Sequence, residues 1–522
     1  MRSRPTSVQR FSNYLIALSA LTILSGCNPP AQPSVEAQAE PAQAAEPSPY
    51  FELSVLHARS SMLGARRAAF EMAINTVEAS VQREQRENPQ VRPVMENPTV
   101  LSLLVSANNH GEREDCGCKA NPLGGLTRRH TLVDLARLGA VDESMRWWGK
   151  SVPERSIVFT ADAGDLLYAP RGFENAAAPR QELLFDQARA IVDALNVGPP
   201  DAFNVGEHDL ALGLEKLQVL QKVAKFPFIS ANLQKEGKPL FASHVVVERG
   251  GARVAFIGVA RDEEATKTYY EARGLAVRPA LEAVREAAAL LPEEVSAVVL
   301  LSNLGVEKTR ELVGALQSEG IALTAVVVSN TASTTISPLW AAGVPILEPA
   351  SRGKHLGRLD LYLQDATKGA GAVRFANAVS DPLVELRDYR RAVTGFYRAS
   401  EAMDKMLIEL EAMRVEIAQK QAALVELEAA DENRAASESA LASLQARHAT
   451  SASRLELYER RLAMTADTYV RTAGTLSALS ATPGAPAGSD WVEGQVIAVK
   501  LAIPEHAGVR KVLDRGKPRS QK

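Results

Sequence analysis

The spacing of apolar residues changes along this chain, and each change predicts a different kind of element. From Ser60 to Glu87 there is no proline, and Gly64 is the sole glycine. Met62, Ala69, Met72, Ile74 and Val77 recur there at helical spacing, which predicts an amphipathic helix. Pro89, Pro93 and Pro98 end it. From Val100 onward short unbroken apolar runs take over: Val100–Val105, Ser156–Thr160, Ala202–Val205, Phe226–Ala231, Ala297–Leu301, Ala325–Val328, Val344–Leu347 and Leu356–Leu363. Runs of this length predict buried strands. Helical patterns at 126–138, 181–195, 212–224, 279–290 and 307–318 separate several of them, and Ser243–Val247 with Val254–Val259 reads as a hairpin turning at Gly250-Gly251. Strands alternating with helices predict an α/β domain.

After Tyr389 the spacing changes again. Met403, Met406, Leu410, Met413, Ile417, Leu424 and Leu427 recur every three or four residues, and the register resumes at Leu441, Leu444, Leu455, Tyr458 and Leu462. This is a coiled-coil seam with a polar gap at Asp431, Arg434 and Glu438. It fits one long helix or an antiparallel hairpin with its tip near residues 431–433; the similar halves favour the hairpin. Such an arm serves dimerisation or docking of a protein partner, or it packs on its own chain against Ser60–Glu87. A Pro/Gly/Ala/Ser linker at 474–488 precedes one further strand at Trp491–Leu501 and a basic end at Arg510–Lys522.

The N-terminus has the pattern of a processing signal: Arg2, Arg4 and Arg10, then an apolar Tyr14–Leu24 too short to span a bilayer comfortably. It runs into Leu24-Ser-Gly-Cys27, which resembles the lipobox of bacterial lipoproteins. The resemblance implies cleavage before Cys27 and lipidation of its sulfur, with a membrane held through two or more acyl chains. The alternative is an ordinary secretory signal with a chance cysteine. By resemblance to enterobacterial sorting, Asn28 places the anchor in the outer membrane, facing the periplasm, rather than in the inner one. The expected organisation is a signal peptide at 1–26, a disordered tether at 27–50, a helical extension at 51–98, an α/β domain at 99–389, a coiled-coil arm at 390–472, and a linker and tail at 473–522.

Composition changes this picture little. The chain has 522 residues, 46% hydrophobic and 23% charged, with net charge -3. Near-neutral charge gives no footprint for nucleic acid. If Cys27 is lipidated, Cys116 and Cys118 are the cysteines left.

The candidate chemistry sits at the ends of the predicted strands, where open α/β sheets place their ligands. In order these are Ser106-Ala-Asn-Asn-His110-Gly111, Asp162-Ala-Gly-Asp165, Gly206-Glu-His-Asp209, Ala231-Asn-Leu233, Leu301-Ser-Asn-Leu-Gly305 and Val328-Ser-Asn-Thr-Ala-Ser333. Together with Arg352-Gly-Lys-His-Leu-Gly-Arg-Leu-Asp-Leu361, the chain from about 99 to 365 resembles the 5'-nucleotidase branch of the calcineurin-like metallophosphoesterases. The resemblance implies a four-layer sandwich of two mixed sheets flanked by helices. It also implies a phosphate ester clamped between two divalent ions, which polarise the phosphoryl oxygens and lower the pKa of a bridging water.

The ligand positions depart from that pattern. The first aspartate of the resembled motif is Asn108 here, while His110 and the bridging Asp165 are kept. Glu207 replaces a ligand asparagine, and His208 keeps the position that assists the leaving group. Asn303 replaces a histidine, and Ser329-Asn330-Thr-Ala332 replaces a pair of them. Carboxylates bind hard cations and neutral amides do so less well, so the expectation is one divalent ion at most, held mainly by Asp165 and Glu207. Asp165 and His208 can equally be a turn cap and a satisfied buried imidazole.

Asp115-Cys-Gly-Cys118 follows the His110 strand end. Two thiols one residue apart can chelate copper(I) or zinc, with His110 or His208 completing the set. They can also form a reducible disulfide or a structural one. The loop resembles that of extracytoplasmic nucleotidase-like proteins, some linked to multihaem cytochromes. This chain has no Cys-x-x-Cys-His for attaching haem itself. Arg128 and Arg129 either bind an anion or face solvent. Two functions remain open: a divergent phosphoesterase with altered or weak hydrolysis, and a non-hydrolytic metal, thiol-redox or cytochrome-accessory protein.

Overall fold

The structure is a computed structural model that describes residues 49–87, 92, 94–115, 121–140, 146–148, 152–153, 155–169, 176–330, 338–378, 382–427, 432–481 and 490–515. It divides into two units, Val91–Val379 with Gly484–Lys522, and Met1–Gln90 with Ser380–Pro483.

The first unit is the α/β one. Its first sheet runs in the order Trp491–Ala498, His355–Leu363, Thr99–Ser106, Ile157–Asp162, Ala202–Asn204, Phe228–Ile229. The last four strands are mutually parallel, and His355–Leu363 is antiparallel to both its neighbours. The second sheet runs Leu339–Ala341, Val344–Leu347, Ala325–Val328, Ala297–Ser302, Ala252–Val259, His244–Arg249, with four parallel strands between two antiparallel edges. The predicted runs and their hairpin are therefore strands of two mixed sheets.

Side chains alternate across a strand, and this alternation builds the layers. Leu101, Leu103 and Val105 face a core shared with Phe159, Phe256, Val299, Leu301 and Val327, so the two sheets pack face to face. Leu104, between them in sequence, packs outward with Leu132 of the helix Leu126–Arg137. Leu184 and Ile191 of Ala178–Leu195 cover another outer area with Phe203 and Leu217. Burying each of these large apolar side chains is worth about 1.5–3 kcal/mol. The strands of two or three residues at Leu233–Lys235, Lys238–Pro239 and Ala276–Val277 form a third sheet that sequence spacing did not predict, since so few residues carry no period. The helix Glu264–Glu271 was likewise not predicted. The strand expected at Trp491–Leu501 is present as Trp491–Ala498 and forms one edge of the first sheet.

The second unit is helical. Pro49–Glu87 runs antiparallel along Pro382–Glu426. Ion pairs fix the register: Arg59–Asp404 at 3.1 Å, Arg67–Glu401 at 2.9 Å, and Arg390 with Glu71 at 2.6 Å and Glu78 at 3.1 Å. Phe70, Ile74, Val77 and Val81 pack there on Leu386, Tyr389, Val393 and Tyr397. Met62 and Met72, which the sequence pattern groups with Ile74 and Val77 on one face, are instead exposed. Helices Arg434–Ala452 and Leu455–Ala481 turn back along Pro382–Glu426, so the seam is a hairpin. Arg434 Nη1 donates 2.8 Å to the Leu427 carbonyl, satisfying an acceptor left open at the helix end. Among the described residues no helix is long and apolar enough to cross a membrane. The signal segment, Cys27 and the expected tether up to residue 48 lie outside them, and Pro49 and Tyr50, assigned to the tether, open the first helix.

Candidate functional site

The parallel central strands of both sheets end at one edge, and their strand-end motifs meet there. Asn108, His110, Asp165 and Asn330 have φ of 50°, 53°, 58° and 59°. Positive φ is uncommon outside glycine, and Asn, Asp and His tolerate it better than most residues. The turns lock to one another through the backbone: Asn108 N–H donates to Gly164 O at 2.9 Å, and His110 N–H to Asp165 O at 2.9 Å.

Asp209 holds the Asp165 turn. Its Oδ1 accepts from the N–H groups of Leu166 and Leu167, both at 2.8 Å. Its Oδ2 accepts from those of Asp165 at 3.0 Å and Gly206 at 2.9 Å. Burial and the nearby Asp165 charge raise the proton affinity of this carboxyl, against the pull of the four donors. Asn204, fully buried, ties the two sheets by donating to Ala163 O and Val259 O, each at 3.0 Å. Neither residue stood out in the sequence as part of the site, although Asp209 closes one of its motifs.

Asp165 is fully buried at the centre. Its Oδ1 accepts the His208 N–H at 3.0 Å, and its Oδ2 accepts the Asn303 amide at 2.9 Å. Asn303 also donates to Ser329 Oγ at 2.7 Å, while its own oxygen accepts the Glu207 N–H at 3.3 Å. That orientation matches every donor to an acceptor. Asn108 Oδ1 is similarly engaged, accepting the Asn330 N–H at 2.7 Å. The amides at 108 and 303, expected as weak ligands, thus serve as internal struts, and Asn330 contributes its backbone.

The two imidazoles differ in their surroundings. His208 Nδ1 lies 3.2 Å from Asp165 Oδ1, out of line for a hydrogen bond, and Nε2 lies 3.2 Å from Glu207 Oε1. Burial opposes its protonation, but the two carboxylates outweigh it and lift the ring to about 10. Burial would also raise Asp165; the close His208 ring and its charge, with the Asn303 amide and His208 backbone N–H bonds, hold it below the usual carboxylate range. His110, 5.8 Å from His208 between ring centres, is lowered by burial.

One set of side chains converges. His110, Asp165 and His208 can each present a ligand atom within 4.8 Å of the others. Glu207 stands outside that set: besides His208 it accepts from Thr266 Oγ1 at 3.3 Å and faces Arg261 at 3.8 Å. Two imidazoles and a carboxylate suit zinc and other transition ions better than the hard cations expected of an Asp165–Glu207 pair. The amides at the other positions of a two-ion centre present poor donor sets for a second ion. Asn303, in the place of a ligand, turns its NH2 group rather than its oxygen to Asp165, and Asn108 Oδ1 is engaged by the Asn330 N–H.

Cys116, Cys118 and Ala332 lie outside the described residues. The described residues that flank the cysteine pair meet one another, through a bridge between Asp115 and Gly124 and Leu126 N–H to Arg113 O at 3.0 Å, and Gly124 N–H donates to Val499 O at 2.7 Å. Arg128 pairs with Glu505 at 2.8 Å rather than facing solvent alone, and Arg129 is buried.

No protein-family model matches the chain. Over 169 residues, 32% of this chain and 26% of the relative, it is 31% identical to Protein UshA of Salmonella pullorum. Over 237 residues, 39% of this chain and 16% of the relative, it is 24% identical to the trifunctional nucleotide phosphoesterase protein YfkN of Bacillus subtilis. The α/β unit has a 5'-nucleotidase-like metallophosphoesterase fold. The chain spans about a quarter of the length of the first of these relatives. Among solved structures, the calcineurin-like phosphoesterase YfkN of Bacillus subtilis aligns with TM-score 0.41 and 20% identity, over 52% of this chain and 87% of that one.

Proposed function

We propose that this chain is an extracytoplasmic, lipid-anchored protein whose nucleotidase-like centre holds one divalent ion in place of two, with phosphate-ester hydrolysis weakened accordingly. The observation that carries the reading is the Asn303 amide on Asp165 Oδ2 at 2.9 Å, beside the convergent His110, Asp165 and His208. A bound divalent ion would polarise a phosphoryl oxygen and acidify a water. The chain's own residues would orient the ester. Glu207, held by Thr266 and Arg261, keeps the His208 ring in place.

Metal analysis of the purified full-length chain, with a screen of nucleotides and other phosphate esters under added zinc, manganese and magnesium, tests this. About one ion per chain, lost in Asp165→Ala, with slow turnover is the expected result. Two ions per chain, or none under any condition, would sink it. A second reading, a non-hydrolytic metal or thiol accessory protein, draws support from the pairing of the residues that flank the cysteines in sequence, Asp115 with Gly124 and Arg113 with Leu126. It predicts one bound ion without turnover on any ester, and thiols at Cys116 and Cys118 that cycle reversibly with reductant.

A further inference from the structure

The helix Pro49–Glu87 packs one apolar face and its ion-pairing side chains on Pro382–Glu426 and leaves a second, uncharged face outward. Arg59, Arg67, Glu71 and Glu78 pair with the helix Pro382–Glu426. On the opposite side Val55, Ala58, Met62, Ala65, Ala69, Met72, Thr76 and Ala79 follow one another at alternating three- and four-residue steps. All are exposed except the half-buried Ala69; Val55, Met62 and Met72 are 49%, 52% and 67% exposed. On one flank Ser61, Ala68 and Asn75 are exposed and uncharged; the other flank carries Arg59, paired with Asp404, then Arg66, Ala73 and Ser80. A solvated helix face ordinarily carries charge. An uncharged seam with the coiled-coil period is the pattern of a face that meets another helix.

The order of residues identifies that helix. Laid antiparallel on a copy of itself with a two-fold axis near residue 67, the seam pairs Met62 with Met72, Ala65 with Ala69, Ala58 with Thr76 and Val55 with Ala79. Every layer is a first-position residue against a fourth-position one, the pairing of antiparallel coiled coils. Large meets large at two symmetric places, and small residues near the axis allow close approach. A two-fold interface requires this kind of self-complementarity. The seam is roughly 37 Å long at 1.5 Å per residue. With its flanks it approaches the about 800 Å² per partner of a standard specific interface. With no charge in the seam, self-pairing buries no unpaired ion there.

We propose that two copies of this chain dimerise through the outer face of Pro49–Glu87, antiparallel, about an axis near residue 67. Sedimentation equilibrium of the full-length chain in density-matched detergent is the first test, with a dimer expected at micromolar concentration. Met62→Glu with Met72→Glu is expected to weaken it at least 100-fold. Helix content by circular dichroism and thermal midpoint measured on the dissociated form should be unchanged, because both residues face solvent in the single copy. In a Cys116→Ser, Cys118→Ser background, differently tagged copies carrying Ala65→Cys and Ala69→Cys should cross-link to each other. A monomeric parent chain overturns the proposal, including one whose seam binds vesicles instead. So does a dimer that survives both glutamates, or cross-linking between two Ala65→Cys copies in preference to the mixed pair.

Discussion

Replacing Asp209 by asparagine removes one charge and one acceptor from the turn that presents Asp165. The carboxylate takes four backbone N–H groups, two on each oxygen. An amide oxygen can keep one pair. The NH2 group then points at the other pair, so two fully buried donors lose their acceptor and face donors instead. At about 1–3 kcal/mol for each unsatisfied buried group, the loss is about 4 kcal/mol. Relief of repulsion between Asp209 and Asp165 offsets part of this, and about 3 kcal/mol is the expected net effect. Tryptophan fluorescence during urea unfolding is a selective assay. Trp147, Trp148, Trp340 and Trp491 all belong to the α/β unit, so the helical unit is silent. A midpoint shift worth less than about 1 kcal/mol in Asp209→Asn would refute the view that these four bonds hold the turn.

Three further outcomes are expected. His130 is buried with Nδ1 2.8 Å from the Leu126 carbonyl, and burial, with Arg129 beside it, lowers its pKa to about 4. The unfolded chain therefore takes up the proton first as pH falls below 6.5, and about 3 kcal/mol of stability should be lost between pH 6.5 and 4; His130→Gln should flatten that part of the fluorescence-monitored profile. Asn303→His replaces the amide donor on Asp165 with a ligand, so ions per chain by elemental analysis should rise above the parent value. A Cβ on Gly206 would lie 2.7 Å from Asp165 N and 2.9 Å from Asn303 Nδ2, closer than real contacts allow; Gly206→Ala should displace Asp165 and abolish metal retention, as read by the same analysis.

Most of the α/β architecture was legible because its central strands are buried on both faces and stand out as unbroken apolar runs. Val298–Leu301 and Ala325–Val328 are examples. The motifs at their ends gave the fold resemblance, and the asparagines at 108 and 303 marked where the chain departs from the resembled motifs. The direction of each amide was not legible, since a sequence does not show whether Asn303 turns its oxygen or its nitrogen to Asp165. For the same reason the engagement of Glu207 was not legible: a carboxylate next to a histidine reads as a ligand, and in the structure its oxygens meet Thr266, Arg261 and the His208 ring. The two faces of Pro49–Glu87 merged into one apolar set because Met62 and Met72 lie within a residue or two of helical register with Ile74 and Val77. Only the packing partner separates them.

The first sheet is completed by Trp491–Ala498, which pairs with His355–Leu363 only after the whole helical segment 380–483 has been made. At about 5–20 residues per second, the outer edge of His355–Leu363 stays open for several seconds or longer as the chain emerges. An unpaired, largely apolar strand edge is a template for pairing with a neighbouring chain. The nascent protein therefore passes through a period of aggregation risk set by its gene order, and the vulnerable surface in that period is one that the finished fold conceals.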